Sequence, residues 1–226
     1  TATDGAGQIA TCTFTVTVTD NELPVITTSG PINVNTDLDV CGATIAVPAA
    51  TATDNCPGMS APTGVRSDGL LLTDLYPVGI TTIEWNVTDV NGNAATEVIQ
   101  TITVTDNQLP VITTSGSITA NADAGTCFAT VAVIAATADD NCVVGSPVGT
   151  RSDGLLLSDP YPVGVTTITW NVSDVNGNPA IAAIQTVTVV DNEVPTSAVC
   201  PGNITRNNDP GVCGANVTFL IIANDN

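Results

Sequence analysis

The chain contains no histidine and no lysine, and its only basic side chains are three arginines. That absence removes the usual general bases, Schiff-base chemistry and lysine-based isopeptide crosslinks together. With 22 acidic residues and a net charge of −19 there is no basic patch. Nucleic-acid binding is therefore excluded, and an anionic membrane surface would repel the chain. Charged residues make up only 11 % of the sequence, about half the usual share. Aromatic residues are scarcer still, at 3 %. No apolar run approaches the length of a membrane span, so no membrane insertion is expected in this segment; the most compact run, residues 219–223, is strand length. No stretch follows a helical period. Acid pairs such as Asp68 and Asp74 exist, but nothing in the sequence indicates a cleft around them, so an enzyme is not expected.

What the chain does have is repetition. DNELPVITTSG begins at Asp20, DNQLPVITTSG at Asp106 and DNEVPTS at Asp191, giving spacings of 106 − 20 = 86 and 191 − 106 = 85 residues. The same landmarks recur in order inside each period. Cys41 and Cys127 come first, then DNC from Asp54 and Asp140, RSDGLLL from Arg66 and Arg151, YPVG from Tyr76 and Tyr161, and VNGN from Val90 and Val175. A fixed period of this size means an array of small domains. The expected division is the end of an upstream module at 1–19, complete modules at 20–105 and 106–190, and the beginning of a downstream module at 191–226. The stretch reads as cut from a longer array. Each complete module is large enough for one modest core.

Thr13–Thr19 alternates Thr with Phe or Val without a fault, and Thr101–Thr105 and Thr186–Val189 repeat it. Period two puts Phe14, Val16 and Val18 on one face and the threonines on the other. A second alternating run is Ile83, Trp85, Val87, matched by Ile168, Trp170, Val172. The Asn-Gly of VNGN between the two runs accepts the positive φ of a tight turn, so they are expected to form an antiparallel hairpin. Short strands, regular turns and one buried Trp per module predict an all-β fold: tandem immunoglobulin-like antiparallel β-sandwiches in a linear rod.

Cys41 and Cys56 are 15 residues apart, as are Cys127 and Cys142. Each pair would staple the start of the second strand to the loop after it, for about 3 kcal/mol in the chain-entropy model. Thiolate metal ligation is the competing reading, and the lack of CxxC and of histidine weighs against it. Structural disulfides would place the chain outside the cytosol, secreted or at a cell surface.

Five motifs, in addition, carry a family resemblance. ATCTFTVTVTDNE around Cys12, TATDNC ending at Cys56, YPVGITTIEWNVTD from Tyr76, CPGNIT at Cys200 and CGANVTF at Cys213 resemble the hyalin repeat (HYR) domain, over the whole chain. The resemblance implies an immunoglobulin-like fold and an extracellular, adhesive setting; it says less about function, because fold and function separate easily. In the family pattern an early cysteine such as Cys200 pairs with one in the last strand, such as Cys12, and the CGA and DNC cysteines pair with each other. The complete modules depart from it, with Thr28 and Thr114 near the early position and Glu97 and Ala182 near the late one. Each is therefore expected to hold one disulfide, Cys41–Cys56 or Cys127–Cys142. Cys12, Cys200 and Cys213 would pair outside this stretch or, on a second reading, Cys12 of one copy with Cys200 of the next.

Candidate chemistry sits at the module junctions. In a sandwich whose first strand runs downward, the loop after the second strand and the turn before the last both lie at the top, beside the incoming linker. The first junction then gathers Asp20, Asn21, Glu22, Asp54, Asp89 and Asn91. The second gathers Asp106, Asn107, Asp140, Asp174 and Asn176, and the third Asp191, Asn192, Glu193 and Asp225. Hard oxygens converging from three segments suit Ca²⁺, which takes about six to eight of them. The linkers also resemble the acidic, Pro-terminated linkers of cadherins, without the fuller DxNDN pattern. The other reading is that Asp and Asn merely cap turns.

Asn86, Asn171, Asn203 and Asn216 match the N-glycosylation pattern, which an intact mass above the calculated 22.7 kDa would reveal. Arg66 and Arg151 are expected to form local ion pairs with Asp68 and Asp153, worth little if exposed. Leu70–Leu72 and Leu155–Leu157 are expected to bury in their own sandwiches, or else to serve as an apolar contact. The function expected is structural: a stalk, fibre or filament shaft of repeated modules, stiffened by Pro24, Pro110 and Pro195 in the linkers and by Ca²⁺. Its partners would be further copies of the module, including self-assembly into a fibre. The alternative is an adhesin array gripping a cell-surface glycan or protein.

Overall fold

A computed structural model describes residues 1–199 and 202–224, among which there are strands and turns but no helix. Two compact units divide the chain, Thr1–Asp106 and Asn107–Asn226. The first opens on a short hairpin, β1 (Ala2–Thr3) with β2 (Ile9–Ala10). Eight strands then build its sandwich: β3 (Val25–Thr27), β4 (Ile32–Asn35), β5 (Gly42–Ala43), β6 (Thr51–Thr53), β7 (Thr63–Arg66), β8 (Tyr76–Pro77), β9 (Gly79–Asn86) and β10 (Val98–Thr105). One layer is a four-stranded sheet in the order β4-β10-β9-β7. β9 and β10 are antiparallel, with Trp85 opposite Val98, and β4 lies parallel along the far side of β10, with Ile32 opposite Ile102. The other layer is made of β3 with β6 and of β5 with β8.

The second unit repeats this plan with β11 (Val111–Thr113), β12 (Ile118–Asn121), β13 (Phe128–Ala129), β14 (Thr137–Asp139), β15 (Val148–Arg151), β16 (Tyr161–Pro162), β17 (Gly164–Asn171) and β18 (Ala183–Val190). Its four-stranded sheet runs β12-β18-β17-β15, with β11-β14 and β13-β16 in the facing layer. β19 (Thr196–Val199) and β20 (Ile222–Asn224) pair near the end.

The fold is all-β and immunoglobulin-like, as the alternation predicted, and the period-two pattern sets the core. Ile83, Trp85 and Val87 face inward with Ile102 and Val104, and Ile168 and Trp170 do so with Val187 and Val189. Each Trp ring is pinned at both its edge and its face. The Trp85 Nε1–H donates to Gln100 Oε1 at 3.0 Å, and Gln100 Nε2–H in turn donates to Ser29 Oγ and the Gly30 carbonyl. Over the ring face lies Gly64, where a Cβ would come 2.9 Å from Ile83 Cγ2 and 3.0 Å from Trp85 Cζ3. Gln185 and Gly149 do the same for Trp170.

Arg66 makes the local ion pair expected of it, but away from solvent. It is buried, lies over the Tyr76 ring at 3.8 Å from the centroid, and pairs with Asp68. Its remaining N–H groups donate to the carbonyls of Leu71, Asp74 and Leu75. A buried guanidinium needs such a full set of acceptors, and the loop after β7 folds back to supply it. Asp68 is held below the ordinary carboxylate range by its hydrogen bonds from Arg66. Arg151 repeats the arrangement with Asp153, Tyr161 and the carbonyls of Leu156, Asp159 and Pro160. That fold-back turns the leucines outward. Leu70 and Leu71 are 50 % and 69 % exposed, Leu155 and Leu156 are 49 % and 69 % exposed, and only Leu72 and Leu157 pack on the cores.

The cysteine pairing also differs from expectation. Cys41 and Cys142 are each disulfide-bonded, whereas Cys56 and Cys127 carry reduced thiols. The closures Cys41–Cys56 and Cys127–Cys142 are therefore not formed. The reason is geometric. Gly42 pairs with Pro77 near one end of the sandwich and Thr53 with Val25 near the other, so the chain between them crosses the module. At about 3.3 Å per residue that is on the order of 30 Å, against about 7 Å between Cα atoms for a disulfide. Cys12 and Cys213 are exposed thiols, and Cys200 lies outside the described residues.

Candidate cation site

Three segments of the first unit converge on a carboxylate cluster. Asp20 lies in the connection before β3, Asp54 follows β6 directly, and Asp89 lies in the turn after β9. The antiparallel pairing of Val25 with Thr53 brings the first two segments together. One carboxylate oxygen from each of Asp20, Asp54 and Asp89 lies within 4.8 Å of the others. Like charges that close are costly unless something positive or protic answers them.

Part of the answer comes from amides. Asp89 Oδ1 accepts the backbone N–H groups of Asn91 and Asn93 at 2.9 and 2.7 Å, and its Oδ2 accepts the Asn93 side chain at 2.8 Å. Burial pushes the Asp89 carboxyl up, yet the hydrogen bonds from Asn93 and Asn91 outweigh it and leave it below the usual range. Asp20 is also lowered, chiefly by the Glu22 N–H donating to it, then by the Cys56 thiol and by Asn91. In return the Cys56 thiol is raised, first by its hydrogen bond to Asp20 and then by burial and the surrounding carboxylates. Asp54 Oδ2 accepts the Cys56 N–H at 3.1 Å, but its Oδ1 is buried with no hydrogen-bond partner. Three hard oxygens from three segments, with an unsatisfied carboxylate oxygen on Asp54, fit Ca²⁺ by donor chemistry.

The other residues expected at this junction divide. The Asn91 side chain joins by donating to Asp20 Oδ2 at 2.9 Å. Asn93, which the site prediction left out, clasps both Asp89 and the Asp20 carbonyl; its signal was its place in VNGN. Asn21 and Glu22 are exposed, and Glu22 takes part through its N–H rather than its carboxylate. The turn is no two-residue hairpin. Gly92 alone carries the positive φ, 94°, and the Asp89 side chain ties a wider loop closed by the Ala95 N–H to the Val87 carbonyl.

The second unit repeats the clasp. Asp174 Oδ1 accepts the N–H groups of Asn176 and Asn178, both at 2.8 Å, and an oxygen of Asp140 lies within 4.8 Å of one of Asp174. Asp106 closes the first unit, where it is buried and accepts the Thr36 hydroxyl at 3.3 Å. Asn107 opens the second unit and is exposed. At the third junction Asp191 and Asn192 are exposed, and the Glu193 carboxylate turns away to accept the Gly125 N–H at 3.0 Å. Asp225 lies outside the described residues. Asn86, Asn171, Asn203 and Asn216 are all exposed.

No family model matches the chain. Hyalin of Strongylocentrotus purpuratus is 33 % identical over 226 residues, covering 97 % of this chain and 18 % of that protein. Hyalin of Lytechinus variegatus is 34 % identical over 225 residues, covering 96 % of this chain and 41 % of that protein. The modules are hyalin-repeat-like domains. The chain thus spans under half the length of either relative. Among solved structures, human protocadherin-24 EC1-2 is 14 % identical with a TM-score of 0.32, over 77 % of this chain and 100 % of that one. Protocadherin gamma B2 extracellular cadherin domains 3–6 is 15 % identical with a TM-score of 0.37, over 77 % and 52 %. In the first of these hyalin-repeat-like modules the cluster is built from the linker Asp20, the Asp54 of DNC and the Asp89 before VNGN, so the same short motifs that carry the resemblance also carry the cluster.

Proposed function

We propose that this chain is a length of extracellular stalk, fibre or filament shaft whose junctions bind Ca²⁺. The observation that carries the reading is that the two units repeat one body without functional variation. The same Arg clamp, the same Trp–Gln lock and the same Asp–Asn clasp recur at nearly equal distances, which is what a part selected for length requires. Cation binding is supported by the unsatisfied Asp54 Oδ1 in the Asp20–Asp54–Asp89 cluster. Because Asp20 belongs to the linker, a cation there would tie the linker to the body of its module. Calorimetry with Ca²⁺ and thermal melting with and without a chelator test this. We expect binding in about the millimolar range of extracellular modules, a higher melting temperature with Ca²⁺, and loss of both in Asp54→Asn. Neither heat nor a melting shift at such concentrations would remove the cation from the proposal.

A second reading has its own observation. Leu70, Leu71, Leu155 and Leu156 are exposed on loops that buried arginines hold rigid, which favours an adhesin that grips a partner protein through them. Substituting these leucines by serine would abolish such binding and leave a shaft unaffected.

A further inference from the structure

Each unit carries one Asn-Gly step, Asn91-Gly92 and Asn176-Gly177, and the sequence has no others. In such a step the glycine nitrogen can attack the asparagine side-chain carbonyl, because the following residue has no Cβ to stand in the way. The two steps lie in the turns after β9 and β17, and all four residues are exposed. A Cβ added at Gly92 or Gly177 would have nothing within 4 Å, so the space around each step is open to water.

Each turn holds its other N–H groups tightly and this one loosely. Asp89 Oδ1 accepts the N–H groups of Asn91 and Asn93 at 2.9 and 2.7 Å, whereas the Gly92 N–H reaches only the Asp89 carbonyl, at 3.4 Å. In the second unit Asn176 and Asn178 donate to Asp174 Oδ1 at 2.8 Å each, and the Gly177 N–H to the Asp174 carbonyl at 3.4 Å. The nitrogen that acts as nucleophile is thus the least engaged of the three. The inner asparagines are spared for a covalent reason. Asn93 precedes Ala94, whose methyl group obstructs the attack, and Asn178 precedes Pro179, whose nitrogen has no proton to give up. The side chains that clasp Asp89 and Asp174 are therefore the lasting ones.

We infer that Asn91 and Asn176 are sites of spontaneous deamidation, which ages the turn of each module. The Gly92 nitrogen bonds to Asn91 Cγ as the Cγ–Nδ2 bond breaks, and the proton it loses leaves with the amide nitrogen as ammonia. Water then opens the cyclic imide at either carbonyl. One product is an aspartate; the other is an isoaspartate, in which the main chain runs through the former side chain. In the first unit the consequence is defined. The Asn91 Nδ2–H donates to Asp20 Oδ2 at 2.9 Å, and a carboxylate in its place has no proton to offer and repels Asp20. Of the two side-chain amide bonds from the turn to Asp20, only that of Asn93 to the carbonyl, at 3.3 Å, survives. The linker is then held less firmly to its module. If Ca²⁺ occupies the Asp20–Asp54–Asp89 cluster, the new carboxylate adds a hard oxygen beside it, a consequence that alone rests on the cation reading.

Peptide mapping by mass spectrometry tests the inference, on the whole chain aged at neutral and at mildly alkaline pH. The mass gain of amide-to-acid exchange is expected at Asn91 and Asn176, with the two product forms resolved by chromatography. It should come faster at the higher pH, because the attacking nitrogen must lose its proton. Asn93 and Asn178 should stay intact in the same sample. Gly92→Ala is expected to stop the change at Asn91 and leave that at Asn176 as before. An Asn91→Asp variant, melted in a chelator, is expected to unfold at a lower temperature than the parent. Asn91 and Asn176 remaining amides overturn the inference, as does equally fast change at Asn93. An unaltered midpoint in Asn91→Asp overturns the stated loss of the linker bond. None of these readouts uses calcium, so their failure would leave the cation reading standing, and failure of that reading would leave them unchanged.

Discussion

In each module a glycine packs against the core tryptophan, and the contact sets a measurable cost. A Cβ added at Gly149 would approach Trp170 Cζ3 to 2.8 Å and two further ring atoms to 3.0 Å. A Cβ at Gly64 would meet Ile83 Cγ2 at 2.9 Å and the Trp85 ring at 3.0 and 3.1 Å. Neither ring can slide away, because its Nε1–H is bound to a buried glutamine, Gln100 or Gln185. Overpacking a core by one methyl costs about 1–3 kcal/mol. For a module of this size each kcal/mol moves the midpoint by roughly 4–8 °C. Gly64→Ala should therefore lower the melting temperature by about 4 °C or considerably more, read by Trp85 emission in a Trp170→Phe background. Gly5→Ala, in the same unit, is the control, because nothing lies within 4 Å of its added Cβ and its φ is not positive. A Gly64→Ala melt that overlays the parent curve refutes the reasoning, as does an equal loss in the control.

Acid should act on the arginine clamps. Asp68 and Asp153 are lowered by their hydrogen bonds from Arg66 and Arg151, so their contribution to stability is complete above the unfolded value of about 3.9 and is lost as pH falls through the lower folded values. Urea titrations at falling pH should show stability declining below about pH 4, and Asp68→Asn should flatten part of that decline. The thiols should differ in reactivity as well. The Cys56 thiol is raised by Asp20 and sits in a half-buried site, so an alkylating reagent at neutral pH should label the exposed Cys12 first. Peptide mapping that finds Cys56 labelled earlier would contradict the assigned hydrogen bond.

Much of the fold can be read along the chain because its signals are local. Alternation in Thr101–Thr105 and Gly79–Asn86 depends only on neighbours two residues apart, and both stretches became strands with the expected faces inward. Convergence of Asp20, Asp54 and Asp89 was accessible from strand direction alone. What was not legible depends on distance across the module. Equal spacing of two cysteines looks like a closed loop until the short strands beside them are seen to pair with different parts of the module. An arginine beside Ser-Asp-Gly shows its ion pair in the sequence but not its burial, which needs three carbonyls that only a folded-back loop supplies. For the same reason the leucine triplets, apolar and adjacent, read as core although two of each three are exposed.

The arginine clamps have one effect far from their own loops. Two of the three cations in the sequence are enclosed with no side-chain exposure, and among the described residues Arg206 is the one arginine that reaches solvent. The surface is therefore a polyanion with almost nothing to neutralise it locally. Its mutual repulsion reaches about 10 Å at 0.1 M salt and about 30 Å at 0.01 M. Brine and fresh water would thus set very different approach distances between copies, so the salinity of the surroundings becomes a control on how densely this material can gather.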